Sequence, residues 1–159
     1  MKKIIFVLLA SVLFSNTHAY AVETSLQDAR NKIIGESETI KQSLADSKDP
    51  VLMNTMWDSC IMSVSQIDAY SHMLAIYNAI TTEKAQRDAL VYLMSWLSVT
   101  KNSINLNIKS LSNLTIPVEP KTKLHIEKLN ELFVNLNHVI DTELNRIAAL
   151  KKTLEPKAK

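Results

Sequence analysis

Residues 121–154, KTKLHIEKLNELFVNLNHVIDTELNRIAALKKTL, repeat an apolar side chain every seven positions. Ile126, Phe133, Ile140, Ile147 and Leu154 mark the repeat, and Leu129, Leu136 and Leu150 stand three residues after the first, second and fourth of them. An α-helix turns once per 3.6 residues, so this 3/4 alternation draws one apolar stripe, which packs against neighbouring helices in coiled-coil fashion. Lys123, Glu127, Lys128, Glu131, Glu143, Arg146, Lys151 and Lys152 occupy other positions, so the pattern predicts one packed side and one solvated side.

Upstream of this helix, Pro117 and Pro120 stop one segment and open the next, because a residue before Pro is pushed out of the α region while Pro is accepted at a helix start. The segment they end runs from about 83 to 115, with Leu90, Leu93, Leu97, Ile104, Ile108 and Leu111 at 3/4 spacing and Thr81 or Thr82 as its cap. Ile104, Leu106 and Ile108 also alternate with period two, which leaves a break or short strand near 103–108 as a rival reading. Asp49-Pro50 opens a segment over about 50–80, with Asp49 as N-cap and Pro50 at the first helical position. This segment has no Lys or Arg, and only Asp58 and Asp68 carry charge. Its stripe is Met53, Met56, Trp57, Cys60, Val64, Ile67 and Leu74, flanked by Tyr70 and Tyr77. The first segment, about 25–47, carries a thinner stripe of Leu26, Ala29, Ile33, Ile40 and Leu44, and Gly35 weakens it.

Connections this short leave antiparallel neighbours as the simplest packing. The expected fold is therefore all-α, an elongated up-and-down four-helix bundle with helices over about 25–47, 50–80, 83–115 and 121–154. Composition agrees: 47% of residues are hydrophobic and there is one Gly, too few for a loop-rich or Gly-turned β architecture.

Met1 to Ala21 reads as a cleavable secretory signal. Lys2 and Lys3 form a basic start, Ile4 to Phe14 an uncharged apolar run, and Ala19-Tyr20-Ala21 a small-x-small cleavage pattern. The run is short for a spanning helix, which needs about 20 apolar residues, and no Cys follows it for lipid attachment. The expected product is one helical-bundle domain, residues 22–159, periplasmic or secreted, with no stable membrane anchor after cleavage. The whole-chain net charge of +2 belongs to Lys2 and Lys3, so the remainder is formally neutral. That removes the basic excess by which nucleic acid is bound.

The motifs narrow the chemistry further. Glycine-rich phosphate loops, GxSxG, CxxC, HExxH and CxxCH are all absent from the sequence. Cys60 lies mid-stripe and its bland reading is a core residue, with an intermolecular disulfide as the alternative. Met56 and Cys60, four apart, are soft side chains of the kind that hold Cu(I), and they are the candidate metal ligands. Asp68 and His72, also four apart, can hydrogen-bond on one helix face, but no nucleophile accompanies them. No catalytic residue and no cofactor is expected. The leading expectation is a non-enzymatic interaction protein of the bacterial cell envelope, binding a protein partner or a copy of itself through the second helix, which lacks Lys and Arg, with Trp57, Tyr70 and Tyr77. A small-ligand or soft-metal (copper) binding bundle is the alternative.

Overall fold

The computed structural model describes residues 25–115 and 117–155. The expected signal peptide, residues 1–21, lies outside the described residues. Four helices follow in order: α1 over residues 25–44, α2 over Pro50–Ala79, α3 over Glu83–Ser112 and α4 over Pro120–Thr153. No strand occurs among the described residues. At 1.5 Å per residue, the three longer helices are about 45 to 50 Å long, so the bundle is a rod. α3 runs unbroken through 103–108: Ile104 is fully buried, Ile108 packs against the core and Leu106 points outward, which is helical rather than alternating placement.

The helices form a ring in chain order. α2 lies against α3 and α3 against α4, whereas α2 and α4 meet only sparsely across the centre. α1 closes the ring, touching α2 through the Arg30–Asp68 ion pair and α4 through a Glu36–His125 contact. Each helix turns a 3/4 seam to the centre. In α2 the buried seam is Met53, Met56, Cys60, Ser63, Ile67, Tyr70 and Leu74, and in α3 it is Leu90, Leu93, Leu97, Thr100, Ile104 and Leu111. α4 contributes Ile126, Leu129, Phe133, Leu136, Ile140 and Ile147. Each such side chain, fully buried, is worth about 1.5–3 kcal/mol for the larger aliphatics and aromatics. α1 supplies only Leu26, Ile33 and Ile40 as large buried side chains, with Ser37 and Ser43 between them.

The bundle ends are fastened by loop contacts. Asp49 stands at the N-cap position of α2 but makes no side-chain cap bond. Its carboxylate instead accepts the backbone N–H of Glu119 at 3.1 Å, in the loop before α4. Glu119 replies across the same gap, accepting from Ser47 Oγ at 3.1 Å and from the Lys48 N–H at 3.2 Å. The expected cap is therefore spent on a tie between two loops, which fixes the α1–α2 and α3–α4 connections side by side. At the other end, Arg87 of α3 donates to the Leu154 carbonyl at 2.9 Å, a cation on the negative end of α4.

Candidate functional site

Cys60 is fully buried and its thiol is free of any disulfide. Met56 is equally buried one turn away. Burial, and after it the nearby Glu36 carboxylate, push the Cys60 thiol up to about 12. A thiol held neutral is a poor nucleophile, since that role belongs to the thiolate. His125 Nδ1 lies 2.7 Å from Glu36 Oε1, with both side chains nearly enclosed. The Glu36 carboxylate thus pairs with an imidazole on α4 while it opposes ionisation of the thiol. Among the described residues, no group of three or more His, Cys, Asp or Glu side chains is gathered as a metal cage.

The raised thiol pKa has a consequence for stability, with a sign that follows from linkage. Below about 9 the thiol is protonated in both the folded and the unfolded chain and contributes no pH dependence. Above that value the unfolded chain releases the proton and the folded chain keeps it, so stability falls as pH rises from about 9 to about 12. Burial, and then the Glu143 charge, raise Tyr70 in the same direction, which adds to the alkaline loss. The expected result is a urea midpoint that drops between pH 9 and pH 11, with a shallower slope in Cys60→Ala. Equal slopes in the two proteins would remove Cys60 from the account.

The aromatic residues expected to form an interaction surface are distributed differently. Tyr70 is inside the bundle, where its hydroxyl donates to the Glu143 carboxylate. Trp57 is half-buried, with the Lys41 ammonium of α1 5.6 Å from its ring centroid, a cation–π distance. Tyr77 is half-buried and packs against the core. The Asp68–His72 pair is not formed. Asp68 turns to Arg30 of α1, whose Nε and Nη2 donate to its two oxygens at 2.5 and 2.9 Å, while His72 is exposed. A guanidinium fork matches a carboxylate with two parallel bonds, which a single imidazole N–H does not.

Glu143, expected on the solvated side of α4, is 1% exposed. It sits where the seam of Leu129, Leu136 and Leu150 has its missing member. Arg146, three residues on, grips it from the same helix: Nε donates to Oε2 at 2.7 Å and Nη2 to Oε1 at 2.5 Å. Those bonds hold the guanidinium protonated more firmly than usual. With Tyr70 the carboxylate has three donors, so the buried charge is paired and hydrogen-bonded as such groups must be. The arrangement is closed on itself and offers no open position to a substrate.

The open apolar surface lies on α3. Tyr92, Val99 and Leu106, seven residues apart, are 74%, 60% and 65% exposed. At 100° per residue they fall within about 20° of one line. Residues 89–100 carry no charge, and Lys101, next along, is paired with Asp141 of α4. Trp96 borders the line on the α2 side, where its indole N–H donates to the Gln66 carbonyl at 2.9 Å. Met62 and Ile76 of α2, 53% and 64% exposed, extend the surface, and Ser103 of α3 touches the Met62 sulfur at 3.8 Å. On the other side, Val91, Met94, Ser98 and Val99 line an open depression bounded by Lys151 of α4. Exposed apolar side chains in one contiguous strip mark binding surfaces more often than scattered ones do.

Comparison with known families, characterised proteins and solved structures finds no match to this chain. Among the described residues, no helix is long and apolar enough to cross a membrane.

Proposed function

We propose that this chain is a non-enzymatic interaction protein of the bacterial cell envelope, exported by its N-terminal signal and binding protein through the outward face of α3. The carrying observation is the uncharged strip of Tyr92, Val99 and Leu106, flanked by Trp96 and Met62, on a bundle whose enclosed carboxylates Glu36 and Glu143 are engaged by His125 and by Tyr70 and Arg146. Aromatic and Met side chains on a charge-depleted surface are the composition of interface cores. The ionisable groups inside the bundle support the same reading from the opposite direction. Cys60 is buried, His125 is tied to Glu36, and Glu143 is bonded to Arg146 and Tyr70, so these groups are turned to one another and to the core while the apolar strip faces outward.

The test is a photo-crosslinking amino acid placed at Tyr92 in cells that make the protein. A discrete adduct is expected from that position, with none from Glu38, which is exposed on α1, across the ring from α3. Absence of an adduct at Tyr92 would remove the proposal. Export is read in the same cells from the N-terminus of the recovered protein, expected at Val22.

A further inference from the structure

Resting on that reading of the α3 face, we infer that its partner is a second copy of this chain, docked α3 against α3 in antiparallel register about a two-fold axis at Val99. A twofold pairing places the same patch on both sides of the contact, so the patch has to complement itself. The apolar strip is symmetric about Val99 in the required way: Tyr92 lies seven residues before it and Leu106 seven after. Antiparallel packing about that point sets Tyr92 of one copy opposite Leu106 of the other and Val99 against Val99.

Charge selects the same register. Beyond the strip, Asp88 lies at one end of α3 and Lys109 near the other, both exposed and neither ion-paired among the described residues. An axis at Val99 places Asp88 of each copy opposite position 110 of the other, one residue from Lys109. Two Asp–Lys pairs then close the two ends of the contact. Parallel packing of the same strips would instead set Asp88 against Asp88 and Lys109 against Lys109, and like charges in register are repulsive. Residues 88–109 span about 33 Å of helix, and the α2 flank widens the face to about 20 Å. Counted over two copies, that footprint is roughly 1,300 Å², just above the roughly 1,200 Å² at which specific interfaces begin. A dimer of micromolar strength is the corresponding expectation.

Three measurements decide it. Light scattering of the purified protein should show a dimer that dissociates on dilution through the micromolar range. Asp88→Lys should weaken the dimer about tenfold, because two exposed pairs are reversed at once, and Asp88→Lys with Lys109→Asp should restore it to within about twofold. Val99→Cys should form an intermolecular disulfide on mild oxidation, while Glu38→Cys and the wild type, whose Cys60 is buried, should not. A protein that stays monomeric at about 100 µM, or a charge exchange without rescue, overturns the inference. The photo-crosslink at Tyr92 separates the two levels of the argument. An adduct of twice the chain mass supports the second copy. An adduct of any other mass, with a monomeric purified protein, overturns the second copy and leaves the interaction face standing. No adduct removes both.

Discussion

Arg146→Ala is expected to destabilise the bundle by about 3–5 kcal/mol, the cost of leaving a buried carboxylate without its counter-charge. Glu143 is held at the centre of the rod by Arg146 from the same helix and by the Tyr70 hydroxyl from α2. Removing the guanidinium takes away two of the three donors and the only cation in the group. The carboxylate must then take up a proton or draw the end of α4 outward. Against a typical domain stability of about 5–15 kcal/mol, a loss of this size is a large part of the whole. Arg146→Lys should recover only part of it, because an ammonium on a flexible stem does not reproduce the planar fork. Replacing both members, Glu143→Leu with Arg146→Met, should behave in the opposite sense. Leucine completes the seam of Leu129, Leu136 and Leu150, and replacing a buried ion pair by apolar packing is often neutral or stabilising. The Tyr70 hydroxyl then loses its acceptor, at about 1–3 kcal/mol, so adding Tyr70→Phe to that double replacement should give the most stable of the series. Urea unfolding midpoints at neutral pH rank the variants. A cost below about 1 kcal/mol for Arg146→Ala would show that water, and not Arg146, satisfies the carboxylate.

The same residues show what sequence could and could not disclose. The four helices were legible because apolar periodicity and the Asp49-Pro50 and Pro117/Pro120 breaks act locally, within one or two turns. Their observed ends lie within about three residues of expectation, the usual uncertainty of frayed termini. Glu143 was not legible as a core residue, since a lone Glu among Asp141, Asn145 and Arg146 looks like part of a solvated face. The one signal was the missing beat in the leucine series at position 143. Reading it as a buried charge needed Tyr70, a partner 73 residues away in the chain. Asp68 was misassigned for a similar reason. Its near neighbour His72 was visible in the sequence, while Arg30, 38 residues distant, became its partner only when α1 docked against α2.

The exposed apolar line of Tyr92, Val99 and Leu106 lies on α3, whereas Tyr70 of α2 is buried and Trp57 and Tyr77 are half-buried. The lack of Lys and Arg in α2 suggested an uncovered apolar helix. In the fold much of that apolar surface is spent on the central seam, with Tyr70 drawn inward by a buried acceptor and Trp57 beneath Lys41. α3 holds the complementary case. Its core stripe of Leu90, Leu93 and Leu97 was recognised, but Tyr92, Val99 and Leu106 lie off that stripe and form a second one. A helix with two apolar stripes has one more face than a four-membered ring can cover, and the charge-free run over residues 89–100 was the local sign of it.

Phe133→Ala and Ile33→Ala remove fully buried side chains from two adjacent members of the ring, α4 and α1, and the two are expected to fail in different ways. Phe133 lies midway along the most continuous seam, between Leu129 and Leu136, both also fully buried. Its truncation should cost about 3–5 kcal/mol and lower the midpoint of global unfolding, because the cavity opens where α4 meets its neighbours. Ile33 is one of only three large buried side chains on α1, and its loss, about 2–5 kcal/mol by the same rule, falls on the helix with least else to hold it. The remaining ties of α1 are the Arg30–Asp68 fork, which is partly exposed and so screened by solvent, the Glu36–His125 contact and the loop tie at Glu119. Hydrogen exchange should therefore show α1 amides in Ile33→Ala exchanging through a local opening, while α2, α3 and α4 keep their protection. Gly35→Ala offers the compensating change. A methyl group at this exposed position meets nothing within 4 Å, so it should add about 0.5–1 kcal/mol of helix stability and slow the same α1 amides. Uniform loss of protection over all four helices in Ile33→Ala would mean that α1 unfolds only with the rest, and that its thin seam is as firmly coupled as that of α4.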